Sequence, residues 1–266
     1  PQSQNPKLLG DYLSLTKPLV TLGVTLTAFT GYVINTEEIF IPELIFLVIG
    51  VMLMSGGAAA YNHIVERKTD SLMERTRHRP VASGRISTET ARIFATLLTL
   101  LGFALLFLQT KPICALLGAI NIAWYIWVYT PLKRKSVWAV FVGTITGVIP
   151  FFMGVFAATN HFINPLNLLV AAYLMMWQIP HFFLLAHRYG DEYHRAGIAS
   201  ISKRMAEENI IKVYHLWVLA CCLIAMLLPL LGLLTNLVSN WIVAATVLSV
   251  IALIIFELLS KKRNIH

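Results

Sequence analysis

Apolar residues in this chain come in long, nearly uncharged blocks. Several of these runs reach 18 residues or more, long enough at 1.5 Å per residue to cross about 30 Å of hydrocarbon. The pattern predicts eight membrane-spanning helices: Pro18–Ile34, Pro42–Asn62, Thr90–Gln109, Pro112–Tyr129, Val137–Ala158, Pro165–His187, Ile210–Leu234 and Trp241–Ser260. The expected fold class is all-α, a polytopic transmembrane helix bundle, read as a single transmembrane domain over residues 1–266. Ahead of the first span, Leu8, Leu9, Tyr12, Leu13 and Leu15 stand among polar neighbours. Residues 1–17 therefore read as an interfacial segment on the membrane surface. The first apolar run is long enough to span and has no convincing cleavage site, so no cleavable leader is expected.

Composition agrees, with 57% hydrophobic and only 13% charged residues, and excludes an ordinary soluble domain. The net charge of +8 does not indicate a nucleic-acid partner, because of where the charge lies. Of 21 Lys and Arg residues, 20 fall on one side of the predicted membrane and only Lys111 on the other. The positive-inside rule then places both termini and both long loops in the cytoplasm or its topological equivalent. The opposite connections, such as Asn35–Ile41 and Thr159–Asn164, are short and carry no positive charge. Each set of four spans ends in a basic triplet, Lys133-Arg134-Lys135 and Lys261-Lys262-Arg263, a coarse echo of two four-helix halves. Cys114, Cys221 and Cys222 lie in apolar spans without CxxC spacing, so neither a disulfide nor a zinc site is indicated.

The densest polar stretch, Asn62 to Pro80, follows directly on the second span. Asn62, Glu66 and Asp70 are four apart and form one stripe along a helix. An amide and two carboxylates at a membrane boundary suit a hard cation such as Mg²⁺, which completes its shell with water and phosphate oxygens. Arg67, Lys68, Arg75, Arg77 and Arg79 lie around and beyond the stripe and suit phosphate groups. The plainer account is a solvated loop whose basic residues only set topology. The second long loop carries Asp191 and Glu192 on the same side as Asp70. Two acidic clusters on one face fit two walls around a phosphate-bearing substrate; taken alone, the second is equally a solvated pair.

Polar groups inside the spans need a reason. Asn121, Tyr125 and Tyr129 are four apart and lead to Lys133 and Arg134. Gln178 and His181 flank Pro180 in the sixth span, with Arg188 just beyond it. His181 reads either as hydrogen-bonded across helices or as facing a ligand. Gly143 and Gly147 form a GxxxG that serves either close helix packing or a flat ligand.

Asn-x-x-x-Glu-x-x-x-Asp followed by M-E-R-T-x-x-R-P (Asn62–Pro80) resembles the first motif of UbiA-type intramembrane prenyltransferases, and more narrowly that of the heme O synthase branch. The likeness continues through Y-T-P-L-K-R-K-S (Tyr129–Ser136), Gly143–Pro150, W-Q-I-P-H-F (Trp177–Phe182) and D-E-Y-x-x-A-G-I (Asp191–Ile198), covering most of the chain. The family pattern has nine membrane helices, of which eight are legible here. Its second motif pairs aspartates four apart, whereas His187 and Arg195 stand four from Asp191, so the second metal wall is incomplete.

The resemblance implies transfer of a farnesyl group from farnesyl diphosphate to a vinyl group of heme B, with heme as substrate and Mg²⁺ as cofactor. It implies Asn62, Glu66, Asp70 and Asp191 as metal ligands, and Arg75, Arg79, Lys133 and Arg134 for the diphosphate. Tyr125, Tyr129, Gln178, His181 and Arg188 are expected at the cation and heme side. Expected partners are the lipid bilayer and heme-biosynthesis or terminal-oxidase assembly proteins, with no nucleic acid. The short terminal segments point to a bacterial plasma membrane. A prenyltransferase for a quinone precursor or other aromatic acceptor is the rival enzyme. A membrane transporter is the rival of another class, although it does not account for carboxylates in two loops on one side.

Overall fold

The computed structural model describes residues 8–160, 163–199, 205–234 and 236–263; residues 1–7 of the expected interfacial segment lie outside it. The helices are α1 (Leu8–Leu15), α2 (Pro18–Val33), α3 (Ile41–Val65), α4 (Arg67–Asp70), α5 (Thr88–Gln109) and α6 (Pro112–Ala123). A π-helical segment (Trp124–Tyr129) joins α6 to α7 (Thr130–Lys135). There follow α8 (Ala139–Ala158), α9 (Pro165–Arg188), α10 (Gly190–Arg195), α11 (Glu207–Leu230) and α12 (Leu237–Arg263). Among the described residues seven helices are long and apolar enough to cross a bilayer; residues 9–15 with α2, bent by 48°, make an eighth. The helix starts have local causes. Proline opens α2, α3, α6 and α7 within the first two positions, where its missing N–H has no helical partner to lose. Ser87 caps α5 by accepting the Thr90 N–H at 3.0 Å.

The chain divides into two compact units. Residues 1–162 and 189–200 form the first, residues 163–188 and 201–266 the second. The division falls after the fifth span, not after the fourth as the repeated basic triplets suggest. In the first unit α2, α3, α5, α6 and α8 form a closed circuit, each packed against the next and α8 against α2. Their shared core draws on all five: Ala28 and Tyr32, Leu47, Val51 and Met54, Leu106, Cys114 and Ala115, Met153 and Ala157. Lipid tails are as apolar as these side chains, so close backbone approach has to hold such helices together. A Cβ at Gly154 would run into the Ala28 carbonyl oxygen, and one at Gly31 into that of Phe151. Large apolar side chains such as Leu19, Leu101, Leu108 and Trp127 face outward. In the second unit, α11 packs against both α9 and α12.

Candidate active site

The polar stripe survives the end of α3. Glu66 leaves helical geometry at φ −88° and ψ 2°. Its N–H nevertheless bonds the Asn62 carbonyl at 2.9 Å, and the Asp70 N–H bonds the Glu66 carbonyl at 2.8 Å. Asn62, Glu66 and Asp70 are 2%, 6% and 1% exposed. Buried carboxylates need partners, and three basic side chains from different segments supply them. Lys17, at the α1–α2 bend, donates its Nζ to Asn62 Oδ1 at 2.5 Å. Lys133, in α7, donates to Glu66 Oε1 at 2.6 Å. Arg79 donates Nη1 to both oxygens of Asp70, at 3.0 and 2.8 Å. The Thr76 hydroxyl donates to the Asp70 carbonyl at 3.0 Å, folding the chain so that Arg79 returns to the stripe. Arg134 Nη2 donates to the Val65 carbonyl at 2.8 Å, a cation at the C-terminal end of α3.

Burial alone would raise the Glu66 carboxyl, but Lys133, Lys17 and Arg79 together hold it down to about 2. Glu66 is therefore a carboxylate at any working pH. Beside Asn62, the His63 imidazole is 2% exposed, and neither ring nitrogen has a hydrogen-bond partner.

The second wall comes from the fourth span, whose aromatic stretch is π-helical. Asn121 Nδ2 and Trp124 Nε1 donate to the Thr146 and Val142 carbonyls of α8, at 3.1 and 3.0 Å, tying this stretch sideways. Asn121 is thus turned to α8, and the even four-residue face expected for Asn121, Tyr125 and Tyr129 gives way to a widened turn. Thr130 closes it, with its hydroxyl donating to the Tyr125 carbonyl at 2.8 Å. Tyr125 and Tyr129 stack, with ring centroids 5.9 Å apart and planes at 18°. Tyr125 lies within electrostatic reach of Glu66, Arg79 and Asp70. Gly143 serves a flat group, but one of this chain: the Tyr129 ring occupies the space a Cβ would fill.

The second loop docks on the first. The Arg75 guanidinium lies 4.9 Å above the Tyr189 ring, and the Arg75 N–H donates to Glu192 Oε2 at 3.4 Å. Met73 is buried with Ala196 and Ile198, with Tyr193 packed against them. Tyr193 comes within electrostatic reach of Lys133 and Tyr129. Arg75 therefore binds the two loops together, while Asp191 in α10 is exposed. No three His, Cys, Asp or Glu side chains converge as a metal site among the described residues. In the second unit, Gln178 Nε2 donates to the Leu174 carbonyl of its own helix at 2.5 Å. His181 is exposed and packs near Trp177 and Phe182, with ring centroids 6.1 and 6.2 Å away. Arg188, the last residue of α9, is exposed.

Sequence reasoning missed Lys17 and the Asp11–Arg85 ion pair, at 2.9 Å, that holds α1 to the first loop. The only signal for Lys17 was its place immediately before Pro18, on the same charged side as the stripe.

An apolar bundle that buries an amide and two carboxylates against basic side chains at one end has the build of an integral membrane prenyltransferase. Residues 24–264 match the model of the UbiA prenyltransferase family, and the chain belongs to that family. Among named relatives, it is 39% identical over 230 residues to the protoheme IX farnesyltransferase of Flavobacterium johnsoniae, covering 84% of this chain and 74% of that protein. It is 42% identical over 190 residues to the mitochondrial protoheme IX farnesyltransferase of Debaryomyces hansenii, covering 71% of this chain but only 41% of the yeast protein. In fold it resembles a UbiA homolog from Archaeoglobus fulgidus bound to DMAPP and Mg²⁺, with a TM-score of 0.74 and 14% identity over 91% of this chain and 85% of that one.

Proposed function

We propose that this chain transfers a farnesyl group from farnesyl diphosphate to a vinyl carbon of heme B, giving heme O. The observation that carries the diphosphate half is the buried stripe of Asn62, Glu66 and Asp70, ringed by Lys17, Lys133, Arg79 and Arg134. The acceptor rests on the relatives named as protoheme IX farnesyltransferases. The donor set fits Mg²⁺ in kind: its oxygens are hard, and two of the three groups are carboxylates. Asn62, Glu66 and Asp70 would hold the metal, with exposed Asp191 as an outer carboxylate. When bound, Mg²⁺ would neutralise charge on the departing diphosphate.

The chain's own groups would do the rest. Lys133, Arg134 and Arg79 take up charge on the diphosphate as the allylic C–O bond breaks. The stacked faces of Tyr125 and Tyr129 lie beside positive charge that develops on the farnesyl chain. The vinyl carbon supplies the electron pair for the new C–C bond. Water then adds to the resulting cation and loses a proton, leaving a hydroxyl group. Gln178, His181 and Arg188 are the residues proposed for heme. The site would face the cytoplasm or its equivalent, on the charge asymmetry.

The test is farnesyl diphosphate turnover by the purified chain in nanodiscs, with Mg²⁺ or a chelator, offering heme B or a quinone precursor. Heme O formation that stops with the chelator and with Asp70→Asn is the expected result. Transfer to the quinone precursor alone would move the protein to the rival acceptor. Turnover indifferent to the chelator would remove the metal.

A further inference from the structure

Lys17 sits where a metal's ligand is expected to be free. Its Nζ lies 2.5 Å from Asn62 Oδ1, the first oxygen of the stripe. The backbone that delivers it is unusual: Lys17 has φ 48° and ψ 66°, the chain's described non-glycine residue at positive φ, and Pro18 follows at once. That backbone is also pinned. The Lys17 N–H bonds the Ser14 carbonyl at 3.2 Å, and its own carbonyl accepts the Thr21 N–H at 3.0 Å. Only the four-carbon side chain is left to swing. Around it, Lys133, Arg79 and Arg134 already outnumber the carboxylates of Glu66 and Asp70, three to two. A divalent cation entering alone meets a positive surround and an occupied amide oxygen. A cation entering with a diphosphate brings the anion that such a surround lacks.

We propose that Lys17 is an exchangeable occupant of Asn62. In the metal-free protein its amino group holds the amide oxygen. On loading it yields that oxygen and turns to the diphosphate, so metal and diphosphate enter together. This rests on the metal–diphosphate reading above. It assigns Lys17 a positioning role that a purely structural tether between α1 and α3 would not have.

The experiment measures binding, without turnover. Mn²⁺, a paramagnetic stand-in for Mg²⁺, is titrated into the full chain in nanodiscs and followed by electron paramagnetic resonance, with and without inorganic pyrophosphate. Wild type, Lys17→Met and Lys17→Gly are compared; glycine adopts φ 48° without strain, so that variant keeps the bend. Wild type should bind Mn²⁺ weakly alone and much more tightly with pyrophosphate. Both variants should bind Mn²⁺ alone roughly tenfold or more tighter than wild type, the scale of one hydrogen bond involving a charged group. Their gain from pyrophosphate should shrink correspondingly. If wild type shows the pyrophosphate effect but neither variant tightens Mn²⁺ binding alone, the exchange is refuted while the site stands. If none of the three proteins binds Mn²⁺ even with pyrophosphate, the metal–diphosphate reading fails first and the exchange falls with it.

Discussion

Gly143→Ala places a methyl group where the Tyr129 ring now lies. Its carbon would sit 2.6 Å from Cε2, 3.0 Å from Cδ2 and 3.2 Å from Cζ of that ring. Comfortable carbon contacts begin near 3.5 Å, so the ring has to retreat by about 1 Å. The obstacle is a side chain, not backbone, and the fold should survive at a cost of about 1–3 kcal/mol. For a protein this size that lowers the melting temperature by roughly 2–4 °C per kcal/mol. The larger effect falls on chemistry. Tyr129 stacks on Tyr125 and stands one turn before Lys133, which holds Glu66. Displacing positioned groups by about 1 Å costs on the order of a hundredfold in rate. Steady-state turnover in the proposed farnesyl transfer to heme B should therefore fall by about that factor, with melting only modestly changed. In a Tyr129→Leu background the methyl group finds room, and the same substitution should have little further effect. Turnover of Gly143→Ala within about threefold of native, or an equal loss in both backgrounds, would refute the reasoning.

Gly154→Ala meets backbone, the Ala28 carbonyl oxygen, with the Tyr32 nitrogen at 2.7 Å, and should cost about 3 kcal/mol or more in thermal unfolding. Gly23→Ala, with nothing within 4 Å, should be neutral or stabilising by up to about 1 kcal/mol. Glu66 is held at about 2 against a usual 4.5, so its pairing stabilises the fold fully above pH 4.5 and is lost as pH falls towards 2. The contribution is on the order of 3 kcal/mol, and melting curves of native protein and Glu66→Gln should converge across that window on acidification. His63→Leu removes two unpartnered buried nitrogens and should raise the melting temperature, by the equivalent of about 1–2 kcal/mol; a lower melting temperature would mean that the imidazole is held by something polar. A cysteine at Asn160 should react with an impermeant thiol reagent from outside intact cells, and one at Glu74 should not. The reverse pattern would invert the assigned topology.

The spans were legible because apolar length and proline punctuation are local properties. Pro18, Pro42 and Pro112 each stand within one residue of an observed helix start. The stripe was legible for the same reason, since four-residue spacing is a property of one helix. What joins helices was not legible. Nothing in Asn121–Tyr129 marks the π-helical widening, which answers to the carbonyls of α8 that Asn121 and Trp124 reach. The guanidinium of Arg75, grouped by sequence with the diphosphate-binding arginines, lies over the ring of Tyr189, more than a hundred residues downstream. At Gly143 the sequence left close helix packing and room for a flat ligand both open, and the occupant, the Tyr129 ring, comes from the neighbouring helix in space.

The basic partners of the stripe also reach it at different times. Lys17 precedes Asn62 by 45 residues and is made before the stripe, and Arg79 follows Asp70 by 9 and is made soon after it. Lys133 is 67 residues beyond Glu66, on the far side of two further spans. At a translation rate of roughly 5–20 residues per second, Glu66 leaves the ribosome some 3–13 s before the amino group that will pair with it. In that interval the nascent chain already carries the three oxygen side chains but lacks Lys133, Arg134 and the second loop that docks on Arg75. The carboxylate must wait at the water boundary, where solvent stands in for the missing lysine. Closure of the cluster is thus a late event in the protein's birth, and a ribosome that stalls after α5 leaves Glu66 without it.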